Sequence, residues 1–193
     1  MASRALVIGL DCAPPELVFE RWRDELPVLR GLMERGTYGV LRSCNPPITV
    51  PAWTSMTSSR SPGTLGMYGF RNRLSRSYDD LAFADSRAVR VPRVWDLVSA
   101  RGRPVVVIGV PQTYPVNAVN GVMVACFLTP NTRTSQYTYP PELKDEIQDL
   151  VGDYLPDVAD FRTDNKDRLR AEIADVTDKR FRVAEHLLET RPW

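Results

Sequence analysis

Three groups of residues in this sequence have side-chain types and spacing that could do chemistry. The first is Thr49, within Asn45-Pro46-Pro47-Ile48-Thr49-Val50-Pro51-Ala52-Trp53-Thr54-Ser55-Met56. A hydroxyl residue directly before a helical segment is a favoured N-cap, because its oxygen satisfies an orphan backbone N–H. Pro51 then falls in the first turn, where its missing N–H costs little. Ala52, Trp53 and Met56 offer an apolar face at helical spacing. A hydroxyl in that place also sits among free N–H donors at the positive end of the helix dipole, which suits phosphate. Spacing alone leaves both roles open, cap and phosphate chemistry. The second group is Asp11, which ends the apolar run Ala5-Leu6-Val7-Ile8-Gly9-Leu10. Ligands of open α/β sheets bind beyond the carboxyl ends of strands, so Asp11 is a candidate ligand or base, or else a turn residue. The third is Arg71-Asn72-Arg73, two positive charges and an amide that could meet an anionic ligand or face water as a solvated loop.

These residues need elements to hold them. Ala5 to Leu10 is continuous and partly β-branched, as expected of a strand buried on both faces of a parallel sheet. Pro14-Pro15 opens a helical segment through Leu17, Val18 and Trp22. A second helix runs from Val28 through Leu32 and Met33 to a stop at Gly36. Thr37 to Cys44 reads as a short strand leading into the Thr49 helix, and Ser61 to Phe70 as turns. Val94, Trp95, Leu97 and Val98 mark a helix stopped at Gly102. Pro104 to Val110 is a second buried strand, and Gly121 to Leu128 a third. A helix follows from Pro141 to about Val151, then an irregular stretch from Tyr154 to Phe161. The last element spans Asp164 to Thr190, with Leu169, Ile173, Val176, Val183 and Leu187 at helical intervals and Arg180 interrupting the stripe. Its expected role is to cover one face of the sheet. The alternation predicts an α/β fold, a mostly parallel sheet with helices on both faces.

Composition removes several function classes. A net charge of +1 with interspersed signs argues against a nucleic-acid-binding surface. The leading apolar run is too short for a signal-peptide core, and no stretch reaches the length of a membrane span. Cys12, Cys44 and Cys126 are odd in number and unpatterned, which speaks against a disulfide framework or zinc ribbon and makes a cytoplasmic setting the expectation.

Val7-Ile8-Gly9-Leu10-Asp11, Pro46 to Ser55, and Pro62-Gly63-Thr64-Leu65-Gly66-Met67-Tyr68-Gly69-Phe70 together resemble the alkaline phosphatase superfamily. The nearest branch is the type I phosphodiesterase/nucleotide pyrophosphatase group, and Phe127-Leu128-Thr129-Pro130 is similar to its bacterial members. Their order and separation make the resemblance specific. It implies an alkaline-phosphatase-like α/β domain and a metal-dependent phosphoric ester hydrolase, with a small-molecule phosphate ester as substrate. Thr49 matches the nucleophile, which forms a covalent phospho-enzyme and bridges toward a metal. Asp11 matches the first metal-binding aspartate. Arg71, Asn72 and Arg73 are the substrate-binding candidates. The implied cofactors are divalent ions, two Zn with Mn or Mg as alternatives.

The sequence departs from that pattern in several places. Cys12 stands where the family usually has glycine. Ala52 stands where the nucleotide pyrophosphatases carry a phosphate-contacting asparagine. The one histidine, His186, lies inside the long helix, and Asp79, Asp80 and Asp85 have no ligand-like spacing. Zinc sites ordinarily need about three protein ligands each, so a full site needs ligands that this sequence does not supply. The expectation is therefore that residues 1–193 form the amino-terminal part of one such domain, incomplete at the C-terminus, with 129–163 as a loop-rich insertion. Alternatives are a phosphatase or phosphomutase of the same superfamily, or an inactive truncated remnant acting as a binding protein.

Overall fold

The structure is a computed structural model and describes residues 4–193. The chain separates into two compact units, Met1–Ser43 and Cys44–Trp193.

In the first unit, helix α1 (Pro27–Arg35) forms where the apolar spacing places it. Gly36 closes it, its N–H bonding to Leu32 O at 2.8 Å. The earlier segment opened by the proline pair is a π-helical stretch, Glu16–Arg21, rather than an α-helix. Phe19 packs edge-on against Tyr38, with ring centroids 5.1 Å apart. The two expected strands of this unit are not formed. Residues 5–10 and 37–44 are without regular structure, and Leu6, Val7, Ile8 and Leu10 are exposed, Val7 by 82%. A doubly buried strand requires hydrogen-bonded neighbours and cover on both faces. Among the described residues of this unit only Met33 is buried, so neither requirement is met.

In the second unit, α2 (Thr49–Ser58) and the short α3 (Pro62–Leu65) precede a two-stranded antiparallel hairpin, β1 (Arg71–Arg73) with β2 (Leu81–Phe83). Helix α4 (Val94–Ala100) leads into a three-stranded sheet of β3 (Val105–Ile108), β4 (Gly121–Val124) and β5 (Thr138–Tyr139), in the order β3-β4-β5. Helices α5 (Leu143–Val151) and α6 (Lys166–Thr190) complete the unit. The valine-rich runs form β3 and β4 because branched side chains fit a pleated surface.

Helices cover both faces of this sheet. On one, Trp95 of α4 packs with Val105, Val107 and Met123. On the other, Val122 and Val124 meet Leu143, Ile147 and Val151 of α5 and Val183 and Leu187 of α6. The α6 stripe buries Val176, Val183 and Leu187, whereas Ile173 stays exposed. Arg180 interrupts the stripe by turning its guanidinium to Pro156 O. The sheet is mixed, not mostly parallel: β3 and β4 are parallel, β4 and β5 antiparallel. Two expected parallel strands lie outside any sheet, and the chain beyond β4 doubles back, Ala125 N bonding to Tyr137 O at 2.7 Å.

Candidate active site

Thr49 is the first residue of α2, and Ile48, in extended backbone, takes the capping position without a side-chain cap bond. The expected cap by Thr49 is therefore not made; the helix starts one residue earlier than the hydroxyl pattern implied. Ala52 N is the first amide to enter the ladder, to Ile48 O at 2.9 Å. Pro51 has no N–H, and the amides of Thr49 and Val50 precede the ladder, at the end of the helix where the dipole favours anions. Thr49 itself is half-buried.

The buried face of α2 is Val50, Pro51 and Thr54, while Met56 is 53% exposed. The spacing of Ala52, Trp53 and Met56 pointed to the wrong face, since it counted apolar type and not contact. Val50 is fully buried and clusters with Met67, just after α3, and Ala84, just after β2, so the first turn of α2 is fixed to the base of the hairpin. The same helix reaches the carboxyl end of β3, where Thr54 Oγ1 lies 3.2 Å from Gln112 Oε1. Phe70, at the hairpin's start, packs edge-on against Phe127 of the loop after β4, centroids 6.1 Å apart. Helix, hairpin and both strand-end loops thus gather at one edge of the sheet, where open α/β folds place ligands.

Arg71, Asn72 and Arg73 form strand β1 rather than a loop. Asn72 Oδ1 accepts from Tyr68 N at 3.1 Å, an internal bond that closes the turn. Arg71 and Arg73 are exposed on one side of the hairpin, their guanidinium carbons 4.9 Å and 4.6 Å from the ring centroids of Phe83 and Tyr78. A groove of about 440 Å³ opens beside this edge, walled by Phe127, Pro130, Leu155, Pro156 and Val158.

Asp11 lies in the first unit, exposed in a turn. Its Oδ1 accepts from Cys12 N at 2.9 Å, and Cys12 has a φ of +55°. The Asp11 carboxylate pushes the Cys12 thiol up from its ordinary pKa, since a second negative charge beside it is unfavourable.

The profile of the type I phosphodiesterase / nucleotide pyrophosphatase family matches residues 5–191. The chain belongs to that family. It is therefore related to the alkaline phosphatase superfamily and to phosphoric ester hydrolases acting on small phosphate esters. No curated protein and no solved structure matches it.

Family members are generally dependent on divalent metal ions. Among the described residues, no three His, Cys, Asp or Glu side chains form a group able to hold one. The donors present do not fit a complete ion site. His186 is half-buried on α6, its Nε2 2.6 Å from Glu146 Oε1, and Arg191 pairs with the same carboxylate, so this cluster locks α6 to α5. Asp85 is engaged by Arg87, with Oδ2 accepting from Nε at 2.9 Å, and Asp79 and Asp80 are exposed in the hairpin loop. Sequence reasoning missed Gln112 altogether. No local pattern marks it, because its neighbours come from α2 and the approach to α4.

Proposed function

We propose that the chain acts on phosphoric esters with Thr49 as the attacking hydroxyl. The Thr49 Oγ1–phosphorus bond forms as the ester P–O bond breaks, and the threonine proton ends on the departing alcohol. Water then cleaves the phospho-threonine and restores the hydroxyl. The observation that carries this reading is the position of Thr49. In a family of phosphoric ester hydrolases matched over residues 5–191, it is the first residue of α2, uncommitted to a cap and beside amides outside the helical ladder. Such amides suit the nonbridging oxygens of a phosphoryl group. Arg71 and Arg73 would add positive charge near the same sheet edge, and the groove beside Phe127 has room for the organic part of the ester. The family pattern implies a divalent ion, zinc first, with manganese or magnesium as alternatives, and Thr49 is the donor that the second unit would offer it. A phosphatase or phosphomutase differs only in the phosphate's acceptor.

The absence of a three-donor group among the described residues favours a second reading, in which these residues bind phosphate-like anions or a partner without turnover. One assay separates the two. The chain is incubated with nitrophenyl phosphate mono- and diesters, with and without Zn2+, and peptides spanning residue 49 are weighed for added phosphate. The hydrolase reading expects turnover and a phosphorylated Thr49, both lost by about 10³-fold or more in Thr49→Ala. A Thr49→Ala variant with the parent's rate removes the nucleophile. No turnover, together with weak metal binding by calorimetry, selects the second reading.

A further inference from the structure

Gln112 lies just past the carboxyl end of β3 and is only 1% exposed. Its backbone has a φ of +60°, the left-handed region that residues other than glycine rarely adopt. Its carbonyl oxygen accepts from Arg93 Nη1 at 2.9 Å. Arg93 is itself buried, with Nε 3.3 Å from Asp96 Oδ2 and its guanidinium over the Trp95 ring at 4.7 Å. The side chain of Gln112 extends the other way, to Thr54 on α2.

Thr54 Oγ1 is 2.7 Å from Val50 O and 3.2 Å from the Gln112 amide oxygen, and one hydroxyl proton cannot serve both. Gln112 Nε2 is buried without a partner among the described residues. Turning the amide over would let Nε2 donate to Thr54 Oγ1 while Thr54 donates to Val50 O, which removes the conflict at the Thr54 hydroxyl. In either orientation, a chain of polar contacts runs from Asp96 through Arg93 and Gln112 to the first turns of α2. A buried amide on a left-handed backbone is a costly way to fill space, and an apolar side chain would fill it more cheaply. What the amide supplies that an apolar group cannot is direction.

We infer that Gln112 is a positioning residue, which fixes the rotation and height of α2 and so aims the Thr49 hydroxyl. The inference rests on the reading of Thr49 as nucleophile and extends it to the residue that orients the nucleophile's helix.

The test compares Gln112→Met, which keeps length and packing, with Thr54→Val and the conservative Thr54→Ser. Amide hydrogen exchange is read along α2 and, as an internal reference, along α6. The expected result is about tenfold faster exchange over residues 52–57 in Gln112→Met and Thr54→Val, with α6 unchanged and Thr54→Ser close to the parent. Where turnover is measurable, kcat falls by about tenfold with KM within twofold. Unchanged exchange in α2, or equal acceleration in α2 and α6, overturns the inference. Thr49→Ala separates it from the nucleophile assignment. That variant should abolish phosphorylation while α2 exchange stays as in the parent. If it keeps turnover, the nucleophile reading fails and the exchange arm still decides what Gln112 does to α2.

Discussion

Cys12 shows how one side chain can matter twice, through its backbone and through its neighbour. Its φ of +55° is the conformation that glycine adopts at no steric cost, which gives a backbone reason for glycine as the family's usual residue there. As a cysteine it also carries a thiol against the Asp11 carboxylate, which holds its pKa up and its thiolate fraction down near neutral pH. Asp11→Asn should therefore speed alkylation of Cys12 by iodoacetamide at pH 8 several-fold, with the fully buried Cys126 as an unreactive internal control. A rate unchanged by Asp11→Asn would show that the carboxylate does not govern the thiol. At this scale the sequence was informative where a role is local. Thr49, Pro51 and the start of α2 came within one residue of their observed places, because capping and proline preferences act over single turns. Gln112 was illegible, since its function depends on meeting Thr54 across a long separation in the chain.

Elements were legible where periodicity and contact agree. The spans of α5 and α6 and the places of β3 and β4 follow from apolar spacing, because each presents that spacing to a neighbour that covers it, although β4 ends at Val124 and not at Leu128. Residues 5–10 carry an equally strong apolar run but no strand, because such a run says what a strand would bury and not whether anything is there to bury it against. The β3–β4 pair depends on a feature no pattern shows. Gly121 has a φ of +141°, and a Cβ there would lie 2.0 Å from Val105 O, inside the ladder itself. Gly121→Ala should cost about 3 kcal/mol in urea unfolding, since neither backbone can yield without breaking the pair. Gly109→Ala, also at positive φ but facing open space, should cost about 1 kcal/mol. Equal losses at the two positions would show that the contact at Val105 is relieved and only the backbone preference remains.

Across the second unit, one buried phenol reports on the integrity of the α5–α6 face. Tyr137 stacks on Tyr154 with centroids 5.7 Å apart, and burial, reinforced by Tyr154 and Asp145, pushes its pKa up to about 12 from 10.0. The folded state therefore holds the phenol proton more tightly than the unfolded chain. Its stabilising contribution is complete below pH 10 and disappears as the pH rises from 10 toward 12. Calorimetric Tm should fall through that window, and Tyr137→Phe should flatten the fall; an equally steep fall in the variant would assign it to other groups. The first unit has a different liability. An aliphatic stretch at residues 5–10, without regular structure and open to water, offers sticky side chains to any passing chain. When the protein is concentrated or newly made, that ribbon is where clumping would begin and where a chaperone would take hold.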